Sequence, residues 1–145
     1  MVVAVLVLAA RCGAPKDPVQ AALDAIVRAA NARDAKALFS RVAAGFSAAD
    51  GSGPAEARAM VERYFAAYEN LNVSIADVRI ERGSDAARVR FRATMSGQPR
   101  SIGGLGGLVP SSAAYDFDLR LAPEGSQWKV TWAQWNPAEQ GSRTE

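Results

Sequence analysis

From Val73 to Met95, apolar and polar residues alternate with a period of two, and the same alternation returns over Ala114–Leu121 and Gln127–Trp135. Successive side chains of a strand point to opposite faces, so such a pattern on both arms of a turn demands antiparallel strands with one buried face. Val73 and Ile75 alternate with Asn72, Ser74 and Ala76, whereas Val78 and Ile80 alternate with Arg79 and Glu81. The parity shifts at Ala76–Asp77, which predicts a β-bulge and a bent strand. Gly83-Ser84-Asp85 turns the chain, and the return strand sets Val89, Phe91, Ala93 and Met95 against Arg88, Arg90, Arg92 and Thr94.

The second pair follows the same logic. Tyr115, Phe117, Leu119 and Leu121 alternate with Asp116, Asp118 and Arg120; Pro123-Glu124-Gly125 turns; Trp128, Val130 and Trp132 alternate with Lys129, Thr131 and Ala133. On the polar face, Arg88, Arg90 and Arg92 are expected to meet Glu81, Asp116 and Asp118 across strands, exposed pairs that set register and solubility more than stability. Between the hairpins, Gly97 to Ser112 contains Gly103-Gly104-Leu105-Gly106-Gly107 but no GK[ST] ending, so it reads as a hairpin connection and not a phosphate cradle. The other reading is a lid over a pocket mouth, offering Ile102, Leu105, Leu108 and Val109.

Upstream the period changes. Asp17-Pro18 is a helix start, with Gln20 at the third position as in a capping box, and Val19, Ala22, Leu23, Ile26, Val27 and Ala30 make one apolar stripe ending near Ala32. Asp34 caps a second, shorter helix with a stripe of Ala35, Leu38, Phe39 and Val42, after which Phe46 tucks in. Ser47 to Gly53 is a loop. Pro54 opens a third helix whose stripe of Ala57, Met60, Val61, Tyr64, Phe65 and Tyr68 is expected to lie flat on the sheet. Its line of Met60, Tyr64 and Tyr68 reads as core or as the wall of a ligand cavity, and a buried Tyr on either reading needs a polar contact. The fold expected is therefore α+β: three N-terminal helices packed on a curved four-stranded antiparallel sheet, a cone-like α+β barrel.

The chain has 145 residues, 49% of them hydrophobic, and a formal charge of +2, with no His and one Cys. That is one globular domain. The small charge argues against nucleic acid or an anionic membrane surface as partner, and the lack of His excludes a serine–histidine triad, a His-ligated zinc and a His base. A lone Cys12 makes no disulfide framework. No cofactor and no metal is expected.

Cys12 draws interest by position. Val2 to Ala10 is an apolar run too short to span a bilayer, for which about 20 residues are needed, but suited to a signal-peptide core. With Leu8, Ala9 and Ala10 ahead of Arg11, Cys12 and Gly13, it resembles a bacterial lipoprotein signal, in which Cys12 would be lipidated. Arg11 stands where a small residue is expected, Leu8 lies one place too far upstream, and no Lys or Arg precedes the run. An ordinary secretory leader, a short hydrophobic tether and a buried first strand are the other readings. The division expected is a leader and linker over 1–16, a domain over 17–137 and a disordered tail over 138–145. The protein is expected to be exported, periplasmic or anchored through Cys12, or cytoplasmic if the leader is not functional.

Three amphipathic helices, a hairpin, then a second hairpin closing on Trp128-Lys129-Val130 with Trp132 and Trp135 give an order that resembles the nuclear transport factor 2-like superfamily over about Asp17 to Pro137. The resemblance implies a cone-shaped domain with a bent sheet around a long helix. That superfamily includes ketosteroid isomerases, scytalone dehydratases, polyketide cyclases and many non-catalytic binding domains. Its isomerases use a Tyr on the first helix, which is absent here, and its dehydratases lean on His.

No catalytic residue is therefore assigned. The pocket expected is lined by Met60, Tyr64, Tyr68, Phe91, Tyr115, Phe117, Trp128 and Trp132. The function expected is a non-catalytic cell-envelope binding domain for a small apolar ligand or a protein partner, meeting the membrane only through its leader or lipid. Two alternatives stand beside it. One is an isomerase- or cyclase-like enzyme using Tyr64, Tyr68 or Tyr115 with Asp50, Asp77 or Asp118. The other is a homodimer module anchored by an exposed Trp135.

Overall fold

The structure, a computed structural model, describes residues 17–98 and 112–138. The leader with Cys12, most of the glycine-rich connection and the tail from 139 onward lie outside the described residues. Eight elements follow in order: α1 (Pro18–Asn31), α2 (Ala35–Phe39), β1 (Val42–Ala48), α3 (Pro54–Ala66), β2 (Asn72–Arg82), β3 (Ala87–Ser96), β4 (Ser112–Glu124) and β5 (Gln127–Pro137). The sheet has five strands in the order β1-β5-β4-β3-β2. The expectation of three helices on four antiparallel strands is corrected by β1, which pairs parallel to β5. The helical spacing of Ala35, Phe39, Val42 and Phe46 was an alias. A register shift between Val42 and Ser47 puts the buried residues Ala43 and Phe46 three apart, which imitates a helix turn. What remains of the second helix is five residues, with Asp34 Oδ1 accepting from Ala37 N at 3.0 Å.

The long helix α1 packs against β2 and β5 through Val19, Ala22, Leu23 and Ala30, with Ile26 and Val27 half-buried beside them. Asp17 caps it through Val19 N at 3.3 Å, while Gln20 gives its amide to Asp24 at 3.0 Å and not to a capping box. The box is in α3, where Glu56 Oε1 accepts from Gly53 N at 2.6 Å. That third helix does not lie flat on the sheet as expected. It packs beside β1 and α2, buries only Ala57 fully, and leaves Met60, Val61, Tyr64 and Phe65 half-covered.

The two hairpins form as the alternation predicts. Val89, Phe91 and Ala93 of β3 and Leu119 and Leu121 of β4 join Trp128 and Val130 in the core. The predicted bulge in β2 lies between Ala76 and Arg79, with Asp77 in the left-handed region at φ 57. A second irregularity was not foreseen. Arg120 pairs with Trp132 and Leu121 with Val130, so Thr131 is an extra residue in β5. Inward parity therefore passes from Trp128 and Val130 to Ala133, and Trp132 turns to the polar face, where Arg120 lies 4.8 Å from its ring centre. The expectation that Trp132 faces the interior is corrected by that one residue, and so is that of an exposed Trp135, which packs on Phe117 at the core's margin.

The edge strand β2 is pinned by one side chain. Asn31, at the end of α1, accepts from Val73 N at 2.8 Å and donates to Val73 O at 3.0 Å, standing in for the neighbouring strand that an edge lacks.

Candidate functional site

All three tyrosines of the chain converge where the C-terminal end of α3 meets the sheet. Tyr64 is in the last turn of the helix, Tyr68 two residues beyond its end, and Tyr115 on the inward face of β4. The Tyr64 and Tyr68 rings lie 5.3 Å apart, and Tyr68 is among the most deeply buried side chains. Two backbone contacts hold this end in place. Glu69 N donates to Gln98 O at 2.9 Å, and the guanidinium of Arg33 donates to the carbonyl of Tyr68. Gly97 is obligatory here, because a Cβ at that position would lie 2.2 Å from Asn70 O and 3.1 Å from Tyr68 Cδ1.

From Tyr115 the aromatic surface continues along the sheet. Tyr115 meets Phe117 edge-on at 6.5 Å, Phe117 stacks on Phe91 at 5.2 Å, and Trp135 lies 6.2 Å from Phe117. Offset and edge-on pairs of this kind stabilise by about 0.5–1.5 kcal/mol beyond their buried area.

One group in this apolar setting is unsatisfied. The hydroxyl of Tyr64 is buried and has no hydrogen-bond partner. The phenols of Tyr68 and Tyr115 lie near enough to influence it, yet neither closes a bond of good geometry. Burial first, then these neighbouring phenols, push its pKa above that of an ordinary tyrosine. A buried hydroxyl left unbonded costs about 1–3 kcal/mol, so such a group in a native protein calls for a reason.

Of the eight residues expected to line a pocket, the structure gathers Tyr64, Tyr68, Tyr115, Phe117 and Phe91. Met60 is half-buried on α3. Trp128 is buried elsewhere, beneath the guanidinium of Arg82 at 5.2 Å, which in turn pairs with Asp17 at the start of α1. Trp132 is on the outer face. Sequence reasoning missed Trp135 as a member of the cluster, and only the extra residue in β5 could have revealed it.

The carboxylates proposed for an enzyme are all remote from the tyrosines in role. Asp50 accepts from Ser52 N at 2.9 Å in an exposed turn; Asp77 is exposed at the β2 bulge; Asp118 is engaged by Arg88 through two bonds of 3.1 and 2.7 Å on the polar face. Among the described residues no charged side chain is buried, no three His, Cys, Asp or Glu are grouped to hold a metal, and no helix is long and apolar enough to cross a membrane. The polar face carries the expected pairs: besides Arg88–Asp118, Arg92 bonds Asp116 at 2.9 Å and Arg90 reaches Glu81 at 3.3 Å.

A curved, mostly antiparallel sheet with helices on one face and an aromatic interior defines a class of α+β domain built around its inward-facing surface. Solved structures place the chain within that class. It superposes on a protein from Streptomyces avermitilis, described as a candidate dehydratase of the NTF2-like family, with a TM-score of 0.69 at 17% identity over 84% of this chain and 95% of that one. An NTF2-like protein of unknown function from Pseudomonas putida matches with a TM-score of 0.64 at 14% identity over 81% and 82%. Bd1075 of Bdellovibrio bacteriovorus matches with a TM-score of 0.68 at 13% identity over 83% of this chain, which spans 40% of that longer protein. The chain has the nuclear transport factor 2-like fold. No family model matches it, and no curated protein matches it by sequence.

Proposed function

We propose that this chain is a non-catalytic binding domain of the cell envelope, whose tyrosine-lined interior receives a small apolar ligand bearing one hydrogen-bonding group. The observation that carries the reading is the Tyr64 hydroxyl, buried against aromatic rings and unpartnered. A polar atom of a ligand would satisfy it, and the Tyr115–Phe117–Phe91 surface would cover the apolar remainder. No described carboxylate is fully buried, which favours binding over acid–base chemistry, because a carboxylic acid needs an apolar setting to work near neutral pH. The leader suits delivery to the envelope, with Cys12 as its lipid anchor.

Thermal unfolding of the purified chain with steroid-like and lipid-like ligands tests the proposal. A ligand at 100 times its Kd stabilises the folded form by about 2.7 kcal/mol, a rise of several degrees. Tyr64→Phe should weaken that rise selectively for ligands with a polar group. An unchanged unfolding temperature across both ligand classes would remove the ligand-binding reading.

A further inference from the structure

Where α1 ends, the chain breaks a local rule. Arg33 N donates to Ala30 O at 3.0 Å and Asp34 N to Ala29 O at 2.9 Å, the two bonds that close a helix when the residue after its cap turns left-handed. Glycine usually stands at that position, because it turns there without strain. Here the residue is Arg33, at φ 53. A side chain kept at a strained position points to what that side chain does. The Arg33 guanidinium crosses from α1 to the far end of α3, where Nη1 donates to the carbonyl of Tyr68 and reaches that of Phe65 at 3.5 Å. A cation there also suits the negative end of the helix dipole.

The third helix needs such a hold. It packs beside β1 and α2, and Ala57, near its start, is its one fully buried residue. At the other end, the buried ring of Tyr68, the Arg33 guanidinium and the bond from Glu69 N to Gln98 O join it to the rest of the domain. Tyr64 is in the last turn and Tyr68 just past it, so whatever fixes this end fixes two of the three phenols. We propose that Arg33 is the positioning residue of the aromatic site: its guanidinium latches the end of α3, the wall that carries Tyr64 and Tyr68, to the end of α1, and so sets how both rings meet Tyr115 of β4. The proposal rests on the reading of the tyrosine cluster as the binding site. Asn31 and Asp34, on either side, clip β2 and cap α2. Of the three contacts made by this short segment, the one from Arg33 is aimed at the tyrosines.

The test uses the full chain without ligand and three substitutions that separate the guanidinium from the backbone turn. Arg33→Gly removes the guanidinium and relieves the turn; Arg33→Ala removes the guanidinium and keeps the strain; Arg33→Lys keeps the strain and a cationic donor. Hydrogen exchange at Glu69 N should quicken by about tenfold or more in the first two, as expected for a lost hydrogen bond from a charged donor, and by less in the third. In Arg33→Gly, exchange at Val89 N in the sheet interior should not change. The unfolding midpoint should instead follow the backbone, being higher in Arg33→Gly than in Arg33→Ala. Tyr64 should ionise at a lower pH in the first two variants than in the native chain, and Arg33→Lys should restore part of the difference. Native exchange at Glu69 N in Arg33→Gly, a change at Val89 N as large as that at Glu69 N, a quickening in Arg33→Ala that is absent from Arg33→Gly, or unaltered ionisation of Tyr64 would each overturn the proposal. Both readouts are taken without ligand, so a failure to bind any ligand leaves the latch standing, and loss of the latch leaves the binding reading to its own test.

Discussion

Replacing Tyr64 by Phe removes one oxygen from the middle of the aromatic cluster and nothing else. The hydroxyl is buried and bonded to no described group, so in the ligand-free protein it contributes a desolvation cost without a compensating bond. That cost is about 1–3 kcal/mol for an unsatisfied buried group. The substitution should therefore stabilise the empty domain by about 1 kcal/mol, which for a domain near this size raises the midpoint by about 4 °C. Urea unfolding followed by near-ultraviolet circular dichroism measures the change at constant m. A loss of 1 kcal/mol or more would refute the reasoning, because it would mean that the hydroxyl is bonded in the native protein. The same variant should lose response to polar-headed ligands, so that stability and binding move in opposite directions.

Three further outcomes follow from the geometry. On alkaline titration, Tyr64 should resist ionisation beyond the ordinary value of about 10, giving an incomplete rise in absorbance at 295 nm before unfolding. Since burial above all raises the folded pKa of Tyr64, stability is unaffected by this group below the unfolded value and falls as pH climbs past it, where the unfolded chain ionises more readily. Asp118 behaves oppositely: its hydrogen bonds to Arg88 outweigh the opposing effect of burial and hold its pKa below the usual carboxylate value, so their stabilising share is present above the unfolded pKa and is lost as pH falls through the folded one. Asp118→Asn should flatten the acid limb of a stability–pH curve below about pH 4. Asn31→Ala removes two hydrogen bonds to Val73 and one to the carbonyl of Val27, should cost about 1–3 kcal/mol, and should speed hydrogen exchange at Val73 N far more than at Val89 N in the sheet interior; equal exchange at Val73 in both proteins would show that the amide does not secure the edge.

Much of the sheet was legible because period-two patterning survives wherever both strand faces have contrasting chemistry. Arg88, Arg90 and Arg92 against Val89, Phe91 and Ala93 could only be read one way, and their ion pairs formed with the expected carboxylates. The β2 bulge was visible for the same reason: a parity change inside a strongly alternating run needs an extra residue. The bulge in β5 was hidden because Trp128, Val130 and Trp132 continue a perfect alternation through it. Nothing in side-chain polarity distinguishes an indole under Arg120 from an indole in the core, since a cation can cover either. β1 was hidden by composition. Ala43, Ala44 and Gly45 carry little contrast between faces, and the register shift then supplied helix-like spacing. The tyrosine cluster was half legible: helical spacing aligned Tyr64 with Tyr68, but only the pairing of β3 with β4 brings Tyr115 to them.

The extra residue at Thr131 distributes the three indoles of the chain among three different surroundings. Trp128 reports from the buried end near the start of α1, Trp132 from the charged outer face, and Trp135 from the margin of the aromatic interior. Variants that keep one indole at a time would turn the protein into its own set of local optical sensors. A guest in the aromatic interior and a change on the charged outer face could then be told apart by colour and quenching alone.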